Sequence, residues 1–467
     1  MFFNNTVSEN QICAIDKTGS ITYGELSCFC ERIADVIPKR SLVFSLCENA
    51  IGSVAGYVAF LSNDVVPLLL NADMDRELFD VLSDTYKPQY LWVREDHAKH
   101  YCGDVVCTGY GYTLLKTDAV STPLYEELGL LLTTSGSTGS PKLVRQSYHN
   151  IMSNARAIAE YLELTDTERP ITTLPMNYTY GLSIINSHLL VGATLLLTDA
   201  SYIQKEFWNF FKEQEATSFG GVPYTYEILK KLRFFRMELP SLRYMTQAGG
   251  KLSPELHKEF AQYAIDTGKR FYIMYGQTEA TARMAYLPYE KALEKYGSMG
   301  IAIPGGRFEL TDVNGKVITE ADVVGELVYY GDNVTLGYAE CAKDLEKGDE
   351  RAGMLITGDM AKMDADGFFY IVGRKKRFLK IFGNRVNLDE VERMLSAAFL
   401  EYRFACAGVD DKLSVFVEGT MRQDVAKEII KHLVEKTGLH PSAFQVLEIE
   451  NIPMNEAGKT IYGELPI

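Results

Sequence analysis

The run Leu132-Thr-Thr-Ser-Gly-Ser-Thr-Gly-Ser-Pro-Lys142 gathers hydroxyls, glycines and one cation directly after the apolar stretch Leu128 to Leu132. Glycines let a backbone turn tightly and bring its N–H groups up to a ligand. Thr134, Ser135, Ser137 and Thr138 add hydroxyl donors, Gly136 and Gly139 open the turn, and Lys142 supplies a point charge. This is chemistry for a polyphosphate. The loop is not of the G-x-x-x-x-G-K-[ST] kind, because Pro141 stands where the second glycine belongs.

Other chemistry-bearing residues lie far along the chain. Glu279 closes Tyr275-Gly-Gln-Thr-Glu279, just after the strand-like Phe271 to Met274. A single carboxylate of this kind suits Mg²⁺, which bridges phosphate oxygens and takes few protein ligands. Asp359, in Thr357-Gly-Asp359, has the two acceptor oxygens that ribose hydroxyls need. The basic run Arg374 to Arg377 follows the strand-like Gly367 to Gly373, and Lys459 sits in the turn-like Asn455-Glu-Ala-Gly-Lys459. His97 and His100 are three apart, with no third metal ligand near them in the sequence, and His149 reads as a cap or packing residue.

The elements that must position these residues alternate. Thr22 to Ile37 reads as a helix opened by a capping box, with Glu25 three residues after Thr22. Leu42 to Leu46 reads as a buried strand. Helix signals at 77–86, 149–161 and 205–215 alternate with strand signals at 90–93, 193–197 and 218–222. That order predicts an α/β fold with parallel sheets covered by helices. From Phe308 to Tyr330 the pattern turns antiparallel, around the Asn314-Gly315 turn. Beyond the basic run, helices at 387–399 and 423–436 and strands at 404–409 and 413–418 predict a small α+β domain.

A chain of 467 residues is too long for one ordinary core, so two or more domains are expected. Its 46% hydrophobic and 23% charged residues are those of a globular protein. A net charge of −15 argues against nucleic acid or an anionic membrane as partner. The eight cysteines show no C-x-x-C spacing, which favours a reducing cytoplasm over disulfides or a metal site. No signal-like start is seen. The apolar stretch Leu182 to Leu197 is broken by Asn186, Ser187 and His188, so no membrane insertion is expected.

Seven segments, in this order, resemble the adenylate-forming superfamily of acyl-CoA synthetases, peptide-synthetase adenylation domains and luciferases. Besides the Ser/Gly loop, Tyr275 to Glu279, Thr357 to Asp359, and Pro453 to Lys459, they include Ile21 to Leu26, Asp64 to Leu69, Leu174 to Leu182, and Gly373 to Lys376 running on to Val386. The Tyr275 to Met284 region is most similar to stand-alone bacterial acid–thiol ligases. The resemblance implies a large N-terminal domain, residues 1–374, with mixed and parallel sheets, helices and a β-rich subdomain. A small mobile α+β domain, residues 375–467, follows. It implies ATP and Mg²⁺ as cofactors, a small-molecule carboxylic acid as substrate, and coenzyme A or the phosphopantetheine of an acyl carrier protein as thiol. Eight residues follow Lys459, so no attached carrier domain is expected.

Roles follow from the resemblance residue by residue. Ser135 to Lys142 hold the β- and γ-phosphates, Thr278 donates to the α-phosphate, Glu279 holds Mg²⁺, and Tyr275, Gly276 and Gln277 with Ala248, Gly249 and Gly250 border the adenine. In the family an alanine and a proline often stand where this chain has Gly250 and Lys251. Asp359 and Arg374 serve the ribose. Lys459 steadies the carboxylate and α-phosphate during adenylation, Lys376 is the hinge and Gly383 lines the thiol channel. Tyr178, Tyr180, Gly181 and Tyr224 line the acid pocket. No carboxylate occurs in Asn177 to Tyr180, where α-amino-acid-activating relatives carry an aspartate, so an acid without an α-amine is expected. A catalytically dead homologue would be expected to lose Lys459, Glu279 or Asp359, and all three are present. A luciferase-like oxygenase and a ligase that loads a carrier protein are the other readings.

Overall fold

The structure, a computed structural model, describes residues 7–133, 142–381, 384–409, 411–454 and 460–466. An eight-stranded sheet runs in the order Gly337–Ala339, Leu143–Ser147, Leu128–Thr133, Val66–Asn71, Leu42–Cys47, Tyr90–Arg94, Tyr112–Lys116 and Asp104–Gly109. A nine-stranded sheet contains the parallel trio Ser218–Gly221, Tyr244–Gln247 and Arg270–Tyr275. The helices Pro223–Lys231 and Pro254–Asp266 connect that trio. Parallel strands need such crossovers, and with both faces covered every residue of Ser218–Gly221 and Tyr244–Gln247 is buried.

The first helix, Tyr23–Ala34, is capped as expected: the Thr22 hydroxyl accepts from Glu25 N at 3.1 Å, and Glu25 accepts from Thr22 N at 2.8 Å. Helix Ile51–Ser62 lay outside the sequence expectations. It is buried on every side except its last residue, so it has no polar face and no periodicity to read. Its glycines serve close approach. A Cβ on Gly56 would stand 2.3 Å from Trp92 Nε1, and that indole donates to Gly52 O at 2.9 Å. Helix Thr179–Val191 runs straight through Asn186, Ser187 and His188, because each polar side chain finds a partner inside. Asn186 Oδ1 accepts from the Tyr57 hydroxyl at 2.9 Å, and His188 Nε2 pairs with the Tyr244 hydroxyl at 2.8 Å. Among the described residues no helix is long and apolar enough to cross a membrane. All eight cysteines are free thiols.

Contacts divide the chain into two units, Met1–Arg307 with Tyr329–Leu355, and Phe308–Val328 with Ile356–Ile467. The expected boundary after residue 374 falls inside the second of these units. The strand Phe369–Arg374 is bonded to the helix that follows the basic run: Asn387 Nδ2 and Arg393 Nη2 donate to Val372 O at 3.2 and 2.9 Å, and Arg374 N donates to Asp389 at 3.0 Å. A five-stranded sheet of this region includes Arg307–Thr311, Gly325–Tyr330 and Met354–Met363. Past it, helices Leu388–Ala398 and Val425–Thr437 pack on a three-stranded sheet, Phe404–Val409, Lys412–Glu418 and Phe444–Ile449, as the small α+β domain expected.

Replacing Gly56 with alanine puts a methyl into the Trp92 ring. Overpacking of this kind costs about 1–3 kcal/mol, and the better helix propensity of alanine returns roughly 1 kcal/mol. Gly56→Ala is therefore expected to lower the denaturant midpoint of unfolding. An unchanged midpoint would contradict the packing described for this helix.

Candidate active site

Register puts three of the sequence-predicted segments at one edge. Gly221 pairs with Gln247, and Gln247 with Ile273, in parallel strands. The chain therefore leaves the carboxyl ends of these strands side by side, into Val222 to Tyr224, Ala248 to Gly250 and Gly276 to Glu279. Ligands of α/β sheets bind at such ends. Tyr180 brings the fourth segment to them, since its hydroxyl bonds Thr246 O and Oγ1 at 2.8 Å each. Gly249 has φ +85° and the Tyr178 hydroxyl lies 2.8 Å from where its Cβ would be, so only glycine fits there. Gln247 Nε2 ties this loop by donating to Ala248 O at 3.2 Å and Gly250 O at 2.9 Å. Asn177 Oδ1 and Gln247 Oε1 are buried acceptors without a hydrogen-bond partner among the described residues. Gly181 has a packing reason of its own: a Cβ there would meet Pro175 O at 2.3 Å. Tyr224 is about half exposed.

The turn carrying Glu279 is tightly bent. A Cβ on Gly276 would fall 1.6 Å from Ala282 O. Thr281 and Ala282 hold φ of +50° and +89°, a costly conformation for residues with side chains. Asn333 pins the bend: its Nδ2 donates to Ala280 O and Arg283 O at 2.7 and 2.8 Å, and its backbone oxygen accepts from the Thr281 hydroxyl at 2.8 Å. Glu279 itself is held from both ends. Its backbone oxygen accepts from Thr335 N, the Thr335 hydroxyl and Arg351 Nη1, each at 3.0 Å. Its Oε1 accepts from the Tyr338 hydroxyl at 2.7 Å. Burial, then the Glu279 charge, push the Tyr338 hydroxyl up to about 12, so it keeps its proton and donates. Glu279 Oε2 engages no described residue, which leaves one carboxylate oxygen for a cation. That geometry fits Mg²⁺.

Tyr338 also links Glu279 to the Ser/Gly loop. Its strand, Gly337–Ala339, pairs antiparallel with Leu143–Ser147, and Tyr338 opposes Val144. Leu143–Ser147 pairs in turn, antiparallel, with Leu128–Thr133, with Thr133 opposite Leu143. Lys142, at the exit of the loop, lies 5.6 Å from the centre of the Tyr338 ring and pairs with Glu340 at 2.6 Å. Arg145 is fully buried and fixes the strand pair: it donates to Tyr338 O at 3.0 Å and Leu336 O at 3.2 Å and pairs with Glu350 at 2.5 Å. Thr134, Ser135, Gly136, Ser137, Thr138, Gly139, Gly383 and Lys459 lie outside the described residues, as does the side chain of Lys376. In the second unit, Asp359 is buried and faces Arg374 at 3.5 Å, while Asp359 N donates to the Thr357 hydroxyl at 3.0 Å.

The AMP-binding enzyme family matches residues 3–339. The chain belongs to this family. It is 26% identical over 474 residues to the 2-succinylbenzoate–CoA ligase of Bacillus cereus (strain AH820), a match that spans 93% of this chain and 90% of the relative. The oxalate–CoA ligase of Arabidopsis thaliana is 29% identical over 288 residues, 60% of this chain and 54% of that one. The fold is shared with the o-succinylbenzoate CoA synthetase of Bacillus subtilis, solved in complex with its acyl-adenylate intermediate. That likeness has a TM-score of 0.79, 21% identity and coverage of 99% and 96%.

Tyr338, Thr335, Asn333 and Arg351 were not among the sequence-predicted site residues of this AMP-binding enzyme. Nothing local marks them: Thr335, Tyr338 and Arg351 reach Glu279, and Asn333 reaches its turn, from 50 to 72 residues further along the chain. His97 and His100 sit with ring centres 6.2 Å apart, and no group of three metal-ligating side chains occurs among the described residues. His149 is largely exposed and lies 3.3 Å from Asp332. If Tyr338 orients the Glu279 carboxylate, Tyr338→Phe should raise the Mg²⁺ concentration needed for half-maximal pyrophosphate exchange about 10-fold, the usual effect of losing an outer hydrogen bond to a metal ligand. An unchanged Mg²⁺ dependence with intact folding would contradict that role.

Proposed function

We propose that this AMP-binding enzyme is an ATP-dependent acid–thiol ligase that works in two half-reactions at one site. In the first, a carboxylate oxygen attacks the α-phosphorus of ATP. The bond from that phosphorus to the bridging oxygen breaks, pyrophosphate leaves, and an acyl-adenylate remains. In the second, a thiol loses its proton and attacks the acyl carbon. The carbon–oxygen bond to AMP breaks, giving a thioester and AMP. The tie from Glu279 through Tyr338 to the exit of the Ser/Gly loop carries this reading, because it unites a carboxylate for Mg²⁺ with a loop built for phosphates.

The chain's groups divide the work. The loop 134–142 holds the β- and γ-phosphates, Thr278 donates to the α-phosphate, Tyr275 packs on the adenine and Asp359 with Arg374 holds the ribose. Glu279 offers its free oxygen to Mg²⁺, which when bound neutralises phosphate charge. Lys459 steadies the acid and the α-phosphate. The acid carries no α-amine: Asn177 to Tyr180 contain no carboxylate, and the charged side chain against Tyr180 is a cation, Arg283, 4.0 Å from the ring centre. Coenzyme A is the thiol. A holo acyl carrier protein presents the same phosphopantetheine arm and is the alternative acceptor.

Two basic elements of the C-terminal part, Lys459 and the stretch Lys376 to Gly383, are too many for one small site at once. Rotation of residues 375–467 about Lys376 would exchange them and break the hydrogen bonds to Val372 O. Lys459→Ala should then abolish adenylate formation yet pass a preformed acyl-adenylate to a thiol. Lys376→Pro should do the reverse, because proline fixes φ and stiffens the turn. Each half-reaction is assayed separately in each variant, with coenzyme A and holo carrier protein compared as acceptors. Equal loss of both steps in both variants, with folding intact, would refute the two-conformation mechanism.

A further inference from the structure

The two faces of the small three-stranded sheet are covered differently. Cys406, Val415 and Val417 pack with the helices Leu388–Ala398 and Val425–Thr437. Ala405, Ala407 and Phe416 stand at the alternate positions, on the opposite face, and pack with Ile452, Tyr462 and Leu465. Residues 460–466 are thus fastened to the face that the helices leave. A bridge between Met454 and Thr460, and Ile461 N donating to Pro453 O at 2.8 Å, set where this segment starts. Thr460 follows Lys459 directly in the sequence.

A polar cluster joins the two faces at the edge strand, Phe404–Val409. There Cys406 N donates to Glu392 Oε1 at 2.6 Å, and Cys406 O accepts from Arg377 Nη1 at 3.0 Å. Arg377 is 9% exposed and also pairs with Asp389 and Glu392, at 2.5 and 2.6 Å. Glu392 Oε2 accepts from the Tyr462 hydroxyl at 3.0 Å, and the Arg377 guanidinium lies 3.5 Å from the centre of the Tyr462 ring. Burial pushes that hydroxyl up, so it keeps its proton and donates. Exposed ion pairs contribute little, but these groups are largely desolvated, and removing one leaves another without its partner. A ring against a guanidinium and a hydrogen bond to a carboxylate also fix the direction of the Tyr462 side chain, not only its depth. Arg377 is the residue after Lys376, and Tyr462 is the third after Lys459. One cluster therefore ties the chain just past the proposed hinge to the chain just past the proposed adenylation lysine.

We propose that Tyr462 is a positioning residue for adenylation: by locking residues 460–466 to Arg377 and Glu392, it sets the point on the small domain from which Lys459 acts. The lysine then moves with Arg377 and the helix Leu388–Ala398 as one piece, and its charge is in place before the acid and the α-phosphate react. Tyr462 touches no substrate and acts through the lysine. This rests on the ligase reading and on the role given there to Lys459.

The test compares Tyr462→Phe, Tyr462→Leu and Lys459→Ala in the two half-reactions. Adenylation is read as pyrophosphate exchange into ATP, with whichever acid of a mixed carboxylic-acid panel the wild type activates fastest. Thiol transfer is read from the preformed adenylate of that acid to coenzyme A. Tyr462→Phe keeps the ring against Arg377 and loses only the hydrogen bond to Glu392. Its kcat for exchange should fall about 10-fold, the scale of losing a hydrogen bond to a charged group, with the KM for ATP and the thiol step within about 2-fold of wild type. Tyr462→Leu loses the ring as well and should fall further in exchange alone. A purely structural tyrosine would lower both half-reactions together. Equal loss of both steps in Tyr462→Phe overturns the proposal, and so does exchange at the wild-type rate; either result leaves the ligase reading standing, and neither depends on Tyr462→Leu folding. Wild-type exchange in Lys459→Ala overturns the role of the lysine and this proposal with it. Exchange with no acid in the wild type overturns the ligase reading too.

Discussion

The hydrogen bond from the Tyr338 hydroxyl to the Glu279 carboxylate is the contact on which the site depends. Phosphate charge has to be neutralised by a cation whose position is fixed before the reaction, and a carboxylate on a free-swinging side chain cannot fix it. Here the backbone oxygen of Glu279 is gripped by Thr335 and Arg351, and one of its side-chain oxygens by Tyr338. The other oxygen is left open. Tyr338 belongs to the strand paired with Leu143–Ser147 and lies beside Lys142, so the same residue ties the carboxylate to that strand. The buried Arg145 holds that strand pair in register from behind.

The grip has a structural cost. To turn Glu279 toward Tyr338 the chain bends so sharply that Gly276 has no room for a side chain and two non-glycine residues enter left-handed conformations. Asn333 offsets that strain with three hydrogen bonds to the bend. The bend also delivers Arg283 to the interior, behind Tyr180. The setting of Glu279 and the burial of Arg283 are thus decided by one turn.

Much of this was legible in the residues, and what was not has a common cause. The helix after Thr22 announced itself because its cap is local, made by Thr22 and Glu25. Helix Ile51–Ser62 gave no signal, because a helix buried all round lacks the polar face that makes periodicity visible. The Glu279 turn could be read as a site, since its residue types and order carry the family's pattern. Its support could not: Tyr338 and Arg351 lie 59 and 72 residues further along, with nothing in the intervening sequence to tie them to it. Asn186 and His188 looked like breaks in an apolar run, yet they sit inside a continuous helix whose neighbours, Tyr57 and Tyr244, satisfy them. Local chemistry was readable; chemistry completed by residues far along the chain was not.

The central claim is that Glu279 and the Ser/Gly loop form a single Mg–ATP site. Glu279→Gln tests it most directly, because it keeps the size of the side chain and its bond to Tyr338 while removing the charge. Acid-dependent exchange of pyrophosphate into ATP, measured at saturating Mg²⁺, should fall by about 10²-fold or more, the scale of losing one preorganised electrostatic contact. Exchange at the wild-type rate under those conditions would contradict the account.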